Sequence, residues 1–249
     1  MTRRRAVEAE EECFAIPPVE GSFTEHEIAG LPEPVRRYFG AAIAPGTAIA
    51  RAARLQMRGK IKIGRWVSFR ADELLAPGRG FVWAARAAGL VFGSDRYVDG
   101  AGGMKWKLAG LVPLIRSEGK DVSHSAAGRA VGESLWLPTA VLPRFGVEWA
   151  TDGDDRITMQ TALGDEHVTA RYELSEDGRV LSTCLDRWGD PQNAGGWDRY
   201  PFGGDMTEWR TFDGVTVPSA GRLGWFYGTD RWQDGEFFRF EITDMHLVA

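Results

Sequence analysis

The sequence is poor in cysteine, lacks long apolar runs, and carries no excess of positive charge. Its two cysteines, Cys13 and Cys184, lie far apart and in no metal-binding spacing, so they do not make a disulfide framework. No window approaches the roughly 18 consecutive apolar residues of a transmembrane helix. The basic start, Met1 to Arg5, is followed by a glutamate-rich segment instead of the apolar stretch of a signal peptide. These absences predict a cytoplasmic protein without an integral membrane span.

The charge balance argues against nucleic acid as a partner. The 249 residues include 30 Lys and Arg against 35 Asp and Glu, which gives a formal net charge of −5. Affinity for phosphate backbones depends mainly on contacts from Lys and Arg. We therefore expect no nucleic-acid binding.

Motifs for metals, nucleotides and serine nucleophiles are also missing. His26, His124, His167 and His246 show none of the close spacings that converge on a metal ion. The sequence contains no Gly-x-Ser-x-Gly elbow. The glycine-rich segment 100–103 follows no βαβ pattern and fails both nucleotide-binding fingerprints. We expect neither a metal site nor a cofactor.

Glycine and tryptophan are abundant instead, with 31 and ten residues respectively. Apolar and polar residues alternate around Leu55 and Met57 and again from Val168 to Leu174, as they do in half-buried strands. Strands joined by tight turns are antiparallel neighbours. Asp-Gly pairs, which suit such turns, occur at 99–100, 152–153, 177–178, 213–214 and 234–235. The pattern predicts a mainly β (α+β) fold, an antiparallel meander of about eleven strands.

Three helical segments are predicted beside this meander. Thr24 and Glu27 have the spacing of a capping box, and a second short helix has Pro34 in its first turn and Gly40 at its end. An inserted helix is predicted from about Ser123 to Leu137, with one broad apolar face. That face consists of Ala126, Ala127, Ala130, Val131, Leu135 and Leu137.

A sheet of about eleven strands curls, splits or closes. We expect a curved half-barrel or barrel in which the helices cover one face or one mouth, and such sheets often enclose an apolar ligand cavity. A two-sheet sandwich that binds at its loops is the alternative. The predicted organisation is a flexible charged arm over 1–20 and a single β-rich domain over 21–249.

Several phrases, taken in order, resemble an uncharacterised bacterial domain family of unknown function. They run from Leu31 to Tyr38, Gly80 to Trp83, Tyr97 to Gly102, Gly110 to Leu114, Glu133 to Ala140 and Asp213 to Ser219. The resemblance covers about residues 30–247. It implies no catalytic residue, because the family has no established activity. The family is also loosely similar to lipoprotein-carrier half-barrels, and this similarity supports only the expected fold.

Glu133 is the strongest candidate for chemistry. It is predicted at the rim of the apolar helix face, one turn after Arg129, where a carboxylate with a raised pKa could act as a general acid or base. The alternative is a simple surface ion pair with Arg129. His124, just before the inserted helix, and His167, at the start of a strand, are the candidate partners in catalysis.

Five tryptophans are the predicted ligand-binding residues: Trp83, Trp106, Trp136, Trp188 and Trp197. Tryptophan side chains bury large apolar areas, so most of them belong to the core or to a cavity wall. The polar, glycine-rich segment between Trp188 and Trp197 is either a mobile loop over a ligand mouth or an ordinary hairpin connection.

A basic stretch over 51–70 contains no acidic residue. It could meet anionic headgroups or an acidic partner, although a solvated strand face with a protected edge is the ordinary explanation.

Three functions remain open at this stage. The first is the binding of an apolar or amphipathic small molecule, a hydrophobic metabolite or a lipid, in a cavity of the curved sheet. The second is a cofactor-independent enzyme, an isomerase, cyclase or hydrolase, that uses Glu133 with His124 or His167. The third is a structural or interaction domain whose sheet is completely filled. The sequence leaves the oligomeric state undetermined.

Overall fold

A computed structural model of the protein describes residues 16–248. Most of the predicted arm, 1–20, therefore lies outside the described residues, and the predicted division into arm and domain stays a prediction. The described chain contains thirteen strands in one sheet. In chain order they are β1 Ala52–Ile63, β2 Arg65–Ala76, β3 Gly80–Ala87, β4 Val91–Val98, β5 Ala101–Leu108, β6 Val112–Glu118, β7 Glu148–Thr151, β8 Arg156–Leu163, β9 Glu166–Leu174, β10 Val180–Gly189, β11 Asp198–Phe212, β12 Val215–Trp225 and β13 Glu236–Val248.

The sheet is a meander whose two halves join in the middle. Its order is β6-β5-β4-β3-β2-β1-β13-β12-β11-β10-β9-β8-β7, and neighbouring strands pair antiparallel. The last strand thus pairs with the first, while β6 and β7 form the two edges. The predicted mainly β fold, a curved open sheet with few helices, is confirmed. The sheet has two strands more than the eleven or so expected.

Asp-Gly turns behave as predicted at two hairpins. Asp99 and Gly100 have φ angles of 46° and 90°, and Asp213 and Gly214 have 46° and 87°, so both pairs occupy the left-handed region that a two-residue hairpin turn requires. The pair 234–235 is different, because it ends a short helix, α3 Trp232–Gly235, that leads into β13. The expected hairpin turn at this pair is therefore wrong.

The first helical segments match the sequence in their buried face and differ at their ends. A 3-10 turn spans Glu25–Ile28, but Thr24 forms no side-chain cap, so the predicted capping box is absent. Helix α1, Glu33–Ala42, has its proline in the first turn and buries Tyr38 and Phe39. It continues through Gly40, which was expected to end it.

The inserted helix is earlier and shorter than predicted. Helix α2 covers Lys120–Gly132. Beyond it the chain forms three 3-10 turns, Glu133–Trp136, Pro138–Val141 and Pro143–Phe145. Proline lacks an amide hydrogen and cannot continue an α-helix, so the two later turns each begin anew at a proline. The predicted apolar face is nevertheless buried throughout.

Helix α2 shows how strongly the sheet curves. It packs against both β5 and β10, which are second and tenth in the strand order. A flat sheet would hold these strands far apart, since neighbouring strands are about 4.8 Å apart. The sheet therefore wraps around α2, and the main hydrophobic cluster fills the concave side.

We predict that Gly93→Ala destabilises the protein by about 1–3 kcal/mol, measured by chemical denaturation. Gly93 on β4 lies opposite Trp106 on β5, and a Cβ there would come within 2.1 Å of the indole ring. Gly30→Ala is the matched control, because open space surrounds that position. Equal stabilities of the two variants would contradict this packing.

Candidate functional site

A cavity of about 290 Å3 lies between the concave face of the sheet and the end of helix α2. Its wall combines aromatic and aliphatic side chains with a smaller number of charged ones. The lining residues are Ile61, Trp83, Asp95, Met104, Ser125, Arg129, Gly132, Glu133, Leu135, Trp136, Thr183, Leu185, Arg187, Asp190, Trp197, Phe202, Leu223, Trp225, Phe237 and Phe238.

Strand register positions the sheet side of this cavity. Residues directly opposite each other on antiparallel strands point to the same face. One row across β2 to β5 consists of Glu73, Trp83, Asp95 and Met104. A second row across β10 to β13 and β1 consists of Thr183, Gly204, Leu223, Phe238 and Ile61. Gly204 in the second row packs closely against its neighbour strand, because a Cβ there would come within 1.8 Å of the Arg222 carbonyl oxygen.

The aromatic wall is fixed by ring contacts. Trp83 is fully buried, its Nε1 donates to the Met57 sulfur at 3.3 Å, and its ring lies 6.2 Å from that of Phe238. Trp136 packs edge-on against Phe240 at 5.1 Å. Such arrangements add to the stability gained from burial alone. The wall is therefore well ordered around the cavity.

Arg129 is the centre of a charged cluster at the helix side of the cavity. Its Nε donates to Glu133 Oε1 at 2.6 Å, its Nη1 donates to Asp95 Oδ2 at 3.1 Å, and its Nη2 lies 3.6 Å from Glu73 Oε1. The guanidinium also lies 4.2 Å above the ring of Phe81. Although burial lowers the pKa of Arg129, the three carboxylates raise it above its ordinary value. Arg129 is thus a permanent buried cation.

Two of these carboxyl groups titrate abnormally. Burial raises the pKa of Glu73 well above its ordinary value, and Glu133 raises it further, while Arg129 offsets part of the effect. Burial also raises the pKa of Asp95, against the opposing effect of Arg129 and a hydrogen bond from Trp106. Arg129 and the nearby Arg187 together do not fully compensate three buried carboxylates. Glu73 is therefore neutral over part of the pH range in which an exposed glutamate is charged.

Arg187 on β10 is a second cation in the cavity wall, and its environment differs from that of Arg129. Its Nε and Nη2 donate to the carbonyl and hydroxyl oxygens of Ser125 at 3.1 and 3.3 Å, and its guanidinium stacks on Phe202 and Trp225. Among the residues the structure describes, it forms no ion pair with a carboxylate. Burial, followed by repulsion from Arg129, lowers the pKa of Arg187 to about 9, against the opposing effect of Glu133 and Asp95. The group is still charged at neutral pH.

The cavity brings together four of the eight predicted site residues. Glu133 lines it, and its pair with Arg129 is a buried one instead of the surface pair that the helical spacing allowed. Trp83, Trp136 and Trp197 line it as well. The segment 190–197 is a connection between two paired strands, as in the simpler of the two sequence interpretations, and it still contributes Trp197 to the wall.

Two predicted tryptophans lie outside the lining. Trp106 packs behind Trp83, with ring centroids 5.9 Å apart, and donates its Nε1 hydrogen to Asp95 at 2.9 Å. Trp188 donates to Asp121 at 3.0 Å and stacks on the His124 ring. Trp106 supports the cavity wall indirectly, whereas Trp188 belongs to a separate polar cluster.

The structure separates both predicted histidines from Glu133. His124 contacts the Glu166 carboxylate and lies 3.3 Å from Arg199. Glu133 follows it by nine residues, roughly 13 Å along a helix axis. His167 is exposed on β9, on the face opposite to its buried neighbour Glu166. Among the described lining residues there is no histidine, so the predicted pairing of a cavity glutamate with a histidine is not formed.

Sequence reasoning missed Glu73, Asp95 and Arg187. Each is a charged residue at an inward position of a strand, next to apolar neighbours on the same face. The alternation of residues along β2 could have identified Glu73, because it lies two and four residues after the buried Ala71 and Phe69 and therefore on the same face of the strand. The signal for Arg187 is similar, since it is in phase with Leu185.

Among residues 16–248, no group of three or more His, Cys, Asp and Glu side chains could hold a metal ion. Within the same range, no helix combines the length and the apolar character needed to cross a membrane.

Residues 21–239 match a known family. The chain belongs to DUF6544, a family of unknown function. The predicted resemblance to an uncharacterised family is confirmed. No curated protein matches the sequence.

Two solved structures are similar to this DUF6544 protein. One is a putative outer membrane lipoprotein-sorting protein domain from Vibrio parahaemolyticus, with 10% identity, a TM-score of 0.44, and coverage of 87% of this chain and 90% of the other. The second is a LolA superfamily protein from Nitrosomonas europaea, with 8% identity, a TM-score of 0.45, and coverage of 87% and 92%. Neither likeness carries an argument about the ligand of this chain.

We predict that Glu73→Gln raises the stability of the protein at neutral pH. A carboxyl group whose pKa is raised by folding loses stability as pH rises above its ordinary value of about 4.5, by up to about 1.4 kcal/mol per pH unit. Glutamine keeps the shape without the charge. The difference between the variant and the wild type should be absent near pH 4 and grow toward pH 7, measured by urea denaturation.

Glu241→Gln is a control for which we expect the opposite change in stability. Its hydrogen bond with Arg58 lowers the pKa of Glu241, so the wild-type residue contributes stability that is lost as pH falls. A Glu73→Gln variant that is less stable than the wild type at pH 7 would contradict the assignment of Glu73 as an under-compensated carboxyl group.

Proposed function

We propose that this protein binds an amphipathic small molecule whose apolar part lies between the aromatic walls of the cavity and whose anionic group meets Arg187. The observation that carries the proposal is the cavity of about 290 Å3 on the concave face of the sheet. This volume lies near the lower end of the range for small-molecule sites. A sheet filled completely by its own side chains would leave no such space.

The apolar part of the ligand is supported by the composition of the wall. Pockets for small molecules are mostly apolar, with a few polar groups that set orientation. Here the half-buried rings of Trp197, Phe202, Trp225 and Phe237 offer apolar surface, and the buried Trp83, Trp136 and Phe238 complete the wall. Transfer of apolar area from water to such a wall stabilises a complex by about 25 cal/mol per Å2 before the cost of association.

The proposed anionic group of the ligand is supported by the different hydrogen-bond partners of the two arginines. Arg129 has carboxylate partners from the protein, whereas Arg187 has only the oxygens of Ser125. Glu133 and Asp95 attract Arg187 without accepting a hydrogen bond from it. Hydrogen bonds from a buried cation to an anion are among the strong ones. A carboxylate or similar group on a ligand would supply the missing partner.

We predict that decanoate binds more tightly than decan-1-ol, by about 10- to 100-fold, in isothermal titration of the purified protein. The two probes share an alkyl chain, and the difference reflects a charged hydrogen bond to Arg187. Arg187→Met should remove the preference for decanoate without loss of folding, because it removes an unpaired buried charge. Arg36→Met, at an exposed position on α1, is the control.

Equal affinities for the two probes in the wild type would contradict the role of Arg187. Absence of binding by either probe, together with full stability of the protein, would contradict the proposed small-molecule site.

A further inference from the structure

The end of the sheet formed by the first three hairpins differs from the rest of the surface. The turns between β1 and β2, β3 and β4, and β5 and β6 lie at the same end, because each pair of strands is antiparallel and adjacent. The last two turns are in contact, since the Ala109 amide donates to the Leu90 carbonyl at 2.8 Å. We define the hairpin end as residues 60–65, 86–90 and 105–116.

Large apolar side chains are exposed at this end. Leu111, at the tip of the third hairpin, is 81% exposed. Seven of the eight large hydrophobic residues exposed among the described residues belong to the hairpin end: Ile63, Leu90, Leu108, Leu111, Val112, Leu114 and Ile115. Scattered exposed apolar residues need no explanation, but a contiguous group indicates an interaction site.

The hairpin end is also basic in an acidic protein. It carries seven cations and no Asp or Glu, although the chain as a whole has a net charge of −5. The seven are Lys60, Lys62, Arg65, Arg86, Lys105, Lys107 and Arg116. Lys105 and Arg116 share the Glu118 carboxylate, at 3.3 and 3.4 Å, and Glu236 on neighbouring β13 pairs with Arg239. A net positive charge remains around the apolar tips.

We propose that the hairpin end docks this protein on the surface of an anionic lipid bilayer. Exposed apolar tips can enter the region between headgroups and acyl chains, while the surrounding lysines and arginines meet the anionic headgroups. Exposed apolar side chains alone, or basic side chains alone, would not predict this partner. Their combination at one end of the sheet matches the apolar interior and the anionic headgroups of a bilayer surface.

A second copy of the chain fits the hairpin end less well. Two copies that meet through their hairpin ends would bring two groups of seven cations together. In addition, Pro113 lies within β6 and offers no amide hydrogen to a new strand. The bilayer is therefore the favoured partner, and self-association is an outcome that the test distinguishes.

The cavity lies close to this end of the sheet. Ile61 and its partner Phe238 on β13 line the cavity, and Ile61 is two residues before the exposed Ile63. Docking of the hairpin end would thus place the cavity near the lipid phase. Ile61 is the one residue that the hairpin end shares with the cavity lining, and none of the residues changed in the tests below lines the cavity, so the test is independent of the proposed ligand.

The test is co-sedimentation of the full chain with vesicles of equal parts phosphatidylglycerol and phosphatidylcholine, compared with vesicles of phosphatidylcholine alone. We expect binding to the anionic vesicles, a loss at high salt, and little binding to the neutral ones. Leu111→Asp should abolish binding without unfolding the protein, because the side chain is exposed. Leu181→Asp, at an exposed apolar position on β10, is the matched control and should bind as the wild type does.

Charge is tested separately with two double variants of equal net charge. Lys62→Glu with Lys107→Glu should reduce partitioning by at least about fivefold for each basic residue removed. Arg36→Glu with Arg156→Glu changes exposed arginines away from the hairpin end and should leave partitioning nearly unchanged.

Three results would overturn the proposal. The first is no binding of the wild type to anionic vesicles at low salt. The second is an equal effect of Leu111→Asp and Leu181→Asp. The third is a dimer in sedimentation velocity that Leu111→Asp dissociates, without vesicle binding by the wild type, which would assign the hairpin end to a second copy.

Discussion

A single buried cation, Arg129, ties the crossing helix to the sheet. It lies on α2, pairs with Glu133 beyond the end of that helix, and reaches Asp95 on β4 and Glu73 on β2. Removal of Arg129 would cost several kcal/mol, because the buried carboxylates of Glu133, Asp95 and Glu73 would be left without this cation. The position of α2 across the concave face, and the cavity at its end, depend on this cluster.

The two arginines of the cavity wall, Arg129 and Arg187, have different surroundings. On one side of the cavity, Arg129 pairs with carboxylates of the protein, and the pKa of one of these, Glu73, is raised. The Arg187 side contains a cation stacked on aromatic rings, with neutral oxygens as its hydrogen-bond partners. The cavity is therefore asymmetric, with an apolar wall and one cation, Arg187, that donates no hydrogen bond to a carboxylate.

The strands and the helix face could be predicted from the sequence because they depend on local periodicity. Val168 to Leu174 alternates in the structure as it does in the sequence, and the inward residues of α2 are those of the predicted apolar face. Glu133 was placed at the rim of this face by the same periodicity, and the three tryptophans of the cavity wall were predicted from the large apolar area that a tryptophan buries. These predictions needed only the neighbours of each residue along the chain.

The remaining features depend on contacts between distant segments. The pairing of β13 with β1 places Phe238 beside Ile61, and nothing near either residue indicates that partner. Glu73 and Asp95 meet Arg129 only because three strands and a helix converge. His124 was predicted at the cavity from its place before the helix, but the register of β9 gives it Glu166 as a partner instead.

Native mass spectrometry of freshly purified protein, followed by solvent extraction, tests whether the cavity holds an amphipathic anion. We expect a stoichiometric bound amphiphile in the wild type and in Leu181→Trp. We expect none in Leu223→Trp, because the larger ring fills the cavity. A wild type without a bound species, or an equal amount of it in both variants, would show that the cavity is not a site for such a molecule.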